Sequence, residues 1–167
     1  MDAMKPVAPE MPRPLQVDRI PALGTHETVE ATAEERAAIA RRLELPALHG
    51  LKAKLHAMPW RGGLKLSGQL TADLEQTSVV SLEAFRSKVA CPVERYFMPA
   101  SAISADSAEE VDAIEAGCID MGEVVVETLA LELDPYPRMP GEAFNPPEEP
   151  DKPPKGTPFD ALRKLKP

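Results

Sequence analysis

Two cysteines, three histidines and a run of carboxylates are the groups in this chain with chemistry to offer. Cys91 and Cys118 have no histidine near them in sequence and lack the CxxC or paired His spacing of a zinc site. They can form at most one disulfide, and their number favours two reduced thiols in a cytoplasmic protein. Cys91 keeps step with the apolar side of its stretch, which is the position of a core thiol. His26, His49 and His56 share neither metal-ligand nor triad spacing. Gly62, Gly63 and Gly68 do not build a phosphate loop. Ten carboxylates fall between residues 101 and 134, yet Asp106, Glu109, Glu110, Asp112 and Glu115 do not follow a calcium-loop spacing. Glu123 and Glu127 stand four apart, so on one helix face they could meet a metal together with Asp106 and Asp120. That is the enzymatic alternative, a metal-dependent RNA-processing hydrolase; the same spacing also describes a solvated helix face. No cofactor and no catalytic set is expected.

Length and charge narrow the classes further. A chain of 167 residues with 43% hydrophobic and 28% charged residues suits one soluble domain, and 4% aromatic content makes its core aliphatic. No apolar run nears the roughly 20 residues of a bilayer span, and residues 1–21 carry five prolines and no signal-like apolar region, so neither export nor membrane insertion is expected. The net charge of −8 resides in one block: residues 101–134 carry −10, whereas 1–60 are neutral and 61–100 and 135–167 carry +1 each. Such a balance argues against DNA and broad nucleic-acid binding, and it favours a basic protein as partner. A local basic strip of Lys52, Lys54, Lys65, Arg86 and Lys88, with His56, is expected on the wet face of a sheet, either as a contact surface or as ordinary solvated strand residues.

Proline brackets the elements that must position these groups. Five of 19 prolines lie in residues 1–21 and ten in 135–167. The reading is a flexible arm over 1–14, a single α+β domain over 15–139, and a Pro-rich linker with a short docking segment over 140–167. Thr32 with Glu35 three residues on predicts a capped helix over 32–45. Alternation over 51–57 and again from Leu64 to Leu74 predicts a hairpin with one wet face, Gly68 marking a bulge or a close backbone contact. Stretches at 78–82 and 85–97 extend the meander, Pro92 placing the last strand at an edge or bulge. Residues 101–117 read as a surface loop, and Asp120 caps a second helix through Leu131. In the tail, Phe159, Leu162 and Leu165 face one way on a short helix, as a docking peptide or as a turn folded back on its own domain.

One segment is specific beyond its periodicity. Ile119-Asp120-Met121-Gly122-Glu123, continuing to Asp134-Pro135-Tyr136-Pro137-Arg138, resembles the signature of the bacterial YceD family, the large ribosomal RNA subunit accumulation proteins. The likeness extends to Arg13-Pro14, to Ala31-Thr32-Ala33-Glu34-Glu35, to Gln76-Thr77-Ser78-Val79 and to Pro158-Phe159-Asp160-Ala161-Leu162, and so covers most of the chain. The resemblance implies a part in ribosome assembly, with no enzymatic activity attached. Many relatives carry a cysteine where this chain has Ser78, which argues against a cysteine-based metal or redox role here. The expectation is therefore an antiparallel meander sheet with two covering helices and Pro-rich extended termini. It would act as a non-catalytic ribosome-biogenesis factor whose partner is a large-subunit precursor or a ribosomal protein, with ribosomal RNA second; beside the hydrolase, the other alternative is a regulatory protein-binding module whose 159–165 peptide docks elsewhere. Contact residues are expected among Lys52, Lys54, Lys65, Arg86, Lys88, Tyr136, Arg138, Phe159, Leu162 and Leu165.

Overall fold

A computed structural model describes residues 8–104, 110–143 and 145–146. The chain runs β1 (Pro14–Gln16), β2 (Thr25–Glu30), α1 (Ala33–Arg42), β3 (Ala47–Trp60), β4 (Gly63–Thr77), β5 (Ala84–Pro99), β6 (Val111–Ile114), β7 (Cys118–Asp120) and α2 (Met121–Glu132). Five strands form one sheet in the order β2-β3-β4-β5-β6, and β1 pairs with β7 in a separate two-stranded ribbon. The α+β class holds, with mixed rather than purely antiparallel pairing, because β6 runs parallel to β5.

Strict alternation makes the long strands. Leu51, Ala53, Leu55 and Ala57 of β3, Leu64, Leu66, Leu70, Ala72 and Leu74 of β4, and Cys91, Val93 and Phe97 of β5 turn to one side and are buried. Ile39 and Ala40 of α1 join the same core, as do Met121, Val124, Val125, Val126 and Leu129 of α2. Gly68 shows the close-contact alternative: pairing passes through it unbroken, and an added Cβ would lie 2.0 Å from the Lys54 carbonyl oxygen. The register shift lies instead between Leu48 and Gly50. Pro92 sits on β5 where only β4 is its neighbour, since β6 pairs no further back than Tyr96.

The capping box of α1 is present in full: Thr32 Oγ1 accepts from the Glu35 amide, and Glu35 accepts from the Thr32 amide at 2.8 Å. The helix stops at Arg42, short of the expected Leu45, as Glu44 takes a left-handed conformation. Asp120 caps α2 through the amides of Gly122 and Glu123, but Glu123 returns no bond and reaches to Arg42 instead.

Other expectations are corrected. Residues 78–82 are a turn, with Val79 and Leu82 exposed, so their apolar character is not a strand signal. The expected loop over 101–117 contains β6, a strand too short for alternation to announce. Strands β1, β2 and β7 were not anticipated either, and Met11, inside the expected arm, is 1% exposed and part of the core. Phe159, Leu162 and Leu165 lie outside the described residues.

Candidate functional site

Both helices pack on the inner side of the sheet, so alternation sends every second residue of β3, β4 and β5 to an outer face on which no side chain is buried. Register aligns that face in rows. Glu30, Lys52, Thr71 and Ala90 form one; Thr28, Lys54, Gln69 and Pro92 the next; then His26, His56, Ser67 and Glu94; then Met58, Lys65 and Tyr96. Asp73 with Lys88, and Glu75 with Arg86, continue it towards the β4–β5 turn. All five residues of the expected basic strip therefore share one face.

They are not equally available. Arg86 grips Asp73 with two bonds of 2.8 and 2.7 Å, which holds that carboxyl below its ordinary range. Lys52 lies 3.5 Å from Glu30 and Lys65 lies 3.7 Å from Glu94. Lys54 and Lys88 have no ion-pair partner among the described residues. On the same face the rings of His26 and His56 stack at 4.1 Å and 10°. At the β3–β4 hairpin end, Trp60 and Tyr96 touch with centroids 4.7 Å apart. Nothing in their sequence spacing links these two. They are 36 residues apart, and only the pairing of β3 and β5 with β4 brings them together.

Part of the acidic block is committed elsewhere. Arg42 bonds Glu123 at 2.9 Å and Glu10 at 2.9 Å, and these two carboxylates hold its guanidinium firmly protonated. Arg95 bonds Asp112 and Glu127. Asp120 Oδ1 accepts from the amides of Arg13, Gly122 and Glu123. Glu123 and Glu127 thus face different arginines rather than a shared ion, and Asp106 lies outside the described residues. Among the described residues no three His, Cys, Asp or Glu side chains are grouped to hold a metal. Cys91 and Cys118 are both free; burial pushes the Cys91 thiol up, the direction of an unreactive sulfur. No helix of the described residues is long and apolar enough to cross a membrane.

Two stretches distant in sequence meet beyond α2. The Gln76 side chain donates to the Asp134 carbonyl at 3.3 Å, and the Val79 amide donates to the Pro137 carbonyl at 2.9 Å. Ser78, 0% exposed, donates its hydroxyl to Glu142, while its oxygen accepts from the amides of Val80 and Ser81. Residues 134–142 are thereby strapped to the β4–β5 turn, with Tyr136 72% exposed and Arg138 also at the surface. These are the very segments whose motifs stood out in the sequence. A family model described as large ribosomal RNA subunit accumulation protein YceD matches residues 66–166.

The chain belongs to the YceD family. No curated protein and no solved structure matches it. The YceD match takes in most of β4, all of β5, β6, β7 and α2, and the strap, so Arg86, Lys88, Tyr96, Tyr136 and Arg138 lie inside it. Lys52, Lys54, Trp60 and Lys65 lie outside it. The family places the chain in large-subunit rRNA accumulation and hence in ribosome biogenesis.

Proposed function

We propose that this chain raises the level of large-subunit ribosomal RNA by binding a precursor of that subunit in the cytoplasm, without chemistry of its own, and that it binds through the outer face of the sheet. The observation that carries this reading is an open face spanning three long strands, with Lys54 and Lys88 unpaired on it among the described residues. A sheet face left wet by both helices is a preformed surface, and its free cations suit phosphate contacts. The carboxylates favour this face over the acidic side as the contact. Arg42 and Arg95 engage Glu123, Asp112 and Glu127, which reduces the charge left to attract a basic ribosomal protein. The hydrolase alternative loses support for the same reason. In this reading Tyr136, Arg138 and the segment with Phe159, Leu162 and Leu165 add a second contact to the same particle.

Ultraviolet cross-linking in cells, with RNA and protein read separately, tests the proposal. Lys54→Glu combined with Lys88→Glu should cut rRNA cross-links several-fold and lower large-subunit rRNA, with the fold retained. Cross-links to ribosomal proteins alone, unaffected by the two reversals, would instead favour the acidic side.

A further inference from the structure

We propose that in the free chain the exposed apolar patch of Val79 and Leu82 on the β4–β5 turn, Leu131 on α2 and Tyr136 on the strap is covered by the chain's own 159–165 segment. Two features that the reading above turns towards the precursor are thereby assigned to each other before any particle is bound. This pairing does not depend on what the outer face binds.

Four of the six large apolar side chains that stand exposed among the described residues belong to this end of the molecule. Hydrogen bonds bring their segments together. The Val79 amide donates to the Pro137 carbonyl beside Tyr136, and the Gln76 side chain donates to the Asp134 carbonyl, three residues past Leu131 on the last turn of α2. Single exposed apolar side chains are ordinary, but several gathered at one place mark a contact surface. Leu82 is the most telling of them. Its φ of 61° lies in the left-handed region that favours Gly or Asn, and its side chain stands open to solvent. Its amide closes the turn onto the Ser78 carbonyl at 3.0 Å, a bond that any residue except proline would make. Neither the turn nor the core gains from a leucine there, which leaves a contact made by the side chain as its use.

Tether, charge and area select the occupant. Glu142 bonds Ser78, so residue 146 lies only four residues beyond a side chain fixed to the turn. The 147–158 stretch that follows has five prolines and leads to Phe159, Leu162 and Leu165. At a polyproline rise of about 3.1 Å per residue such a composition reaches up to roughly 40 Å, more than the patch requires. A tether of this kind sets a local concentration on the order of 1 mM, so even a weak contact stays largely made. The elements of the patch expose Glu83, Glu132 and Asp134 against Arg138. Beside the turn, Arg86 is clasped by Asp73, Glu75 by His49 and Glu142 by Ser78. The segment carries the complementary set, Arg163, Lys164 and Lys166 against Asp160. Those carboxylates disfavour RNA as the occupant. Four side chains expose on the order of 500 Å², short of the roughly 800 Å² per partner of a stable dimer, whereas a tethered segment needs no such area.

Nuclear magnetic resonance on the full chain tests the pairing. The Phe159 ring should show Overhauser contacts to the methyls of Leu82 or Leu131, and the signals of the patch should not move on about tenfold dilution. Phe159→Ala combined with Leu162→Ala should abolish the contacts and shift the signals of Val79, Leu82, Leu131 and Tyr136, with those of the outer face unmoved. A peptide of residues 155–167 added to that variant should move the patch signals back saturably. Leu82→Asn suits the backbone of the turn and so keeps the fold, yet it should lower the ratio of covered to open chain about tenfold. Patch signals indifferent to Phe159→Ala with Leu162→Ala, or contacts that survive Leu82→Asn undiminished, would overturn the proposal. So would contacts that fade on dilution, which belong to a second copy, or patch signals that move only when single-stranded RNA is added.

Discussion

Arg13 shows how much one side chain can hold together. Its guanidinium takes both oxygens of Glu35 at 2.9 Å and the Glu30 carbonyl at 3.1 Å, while its amide bonds Asp120. The same Glu35 closes the α1 capping box, so one carboxylate serves the helix and the N-terminal segment at once. The bond from Arg13 holds the Glu35 carboxyl below its ordinary range. A carboxyl with a depressed folded value stabilises fully above its unfolded value, near about 4.3, and the contribution drains away as pH falls through the folded value. Glu35→Gln should therefore lower stability by about 1 kcal/mol at pH 7. The gap should close towards about pH 3, below the ordinary carboxylate range. Urea midpoints of the two chains at both pH values check this; a constant gap would assign the effect to packing. At this scale the sequence was informative only where spacing was local. Thr32 and Glu35 announced the cap, but nothing near Arg13 in sequence pointed to Glu35, and nothing near Arg42 pointed to Glu123.

Among the elements, the long strands were readable and the short ones were not. Alternation over 51–57, 64–74 and 85–97 fixes face and period for the middles of β3, β4 and β5, whose full lengths of 14, 15 and 16 residues only the structure shows. The three- and four-residue strands β1, β6 and β7 carry no such signal, being defined by what they pair with. The parallel step of β6 onto β5 depends on where the chain returns after residue 104, which local pattern does not encode. The basic strip was legible for the same reason the strands were, whereas the Trp60–Tyr96 corner needed the pairing of three strands. Helix α2 was expected from its stripe, but its tight seat was not. A Cβ on Gly122 would stand 1.6 Å from the Met11 carbonyl oxygen, with Met11 itself buried. Gly122→Ala should thus push residue 11 off the helix and cost about 1–3 kcal/mol. A thermal melt reads the loss, and faster exchange of the Arg13 amide, which bonds Asp120, would locate it.

For the whole molecule, charge and surface pull in opposite directions. A net charge of −8 repels RNA at a distance, while Lys54 and Lys88 offer only two unpaired cations on the open face among the described residues. RNA affinity should therefore respond weakly to salt, with a log–log slope of about −1.4 for two phosphate contacts on a single strand. Binding isotherms between 50 and 200 mM salt measure it, a range chosen to span about the physiological value; a slope several times steeper would require contacts beyond this face. Helix α2 is fastened at both ends. At its head the Met121 amide bonds the Arg13 carbonyl at 3.0 Å, and past its tail Val79 and Ser78 hold residues 137 and 142. Tension applied through the chain beyond residue 146 is therefore delivered to the β4–β5 turn and shared along the sheet before it can unwind the helix.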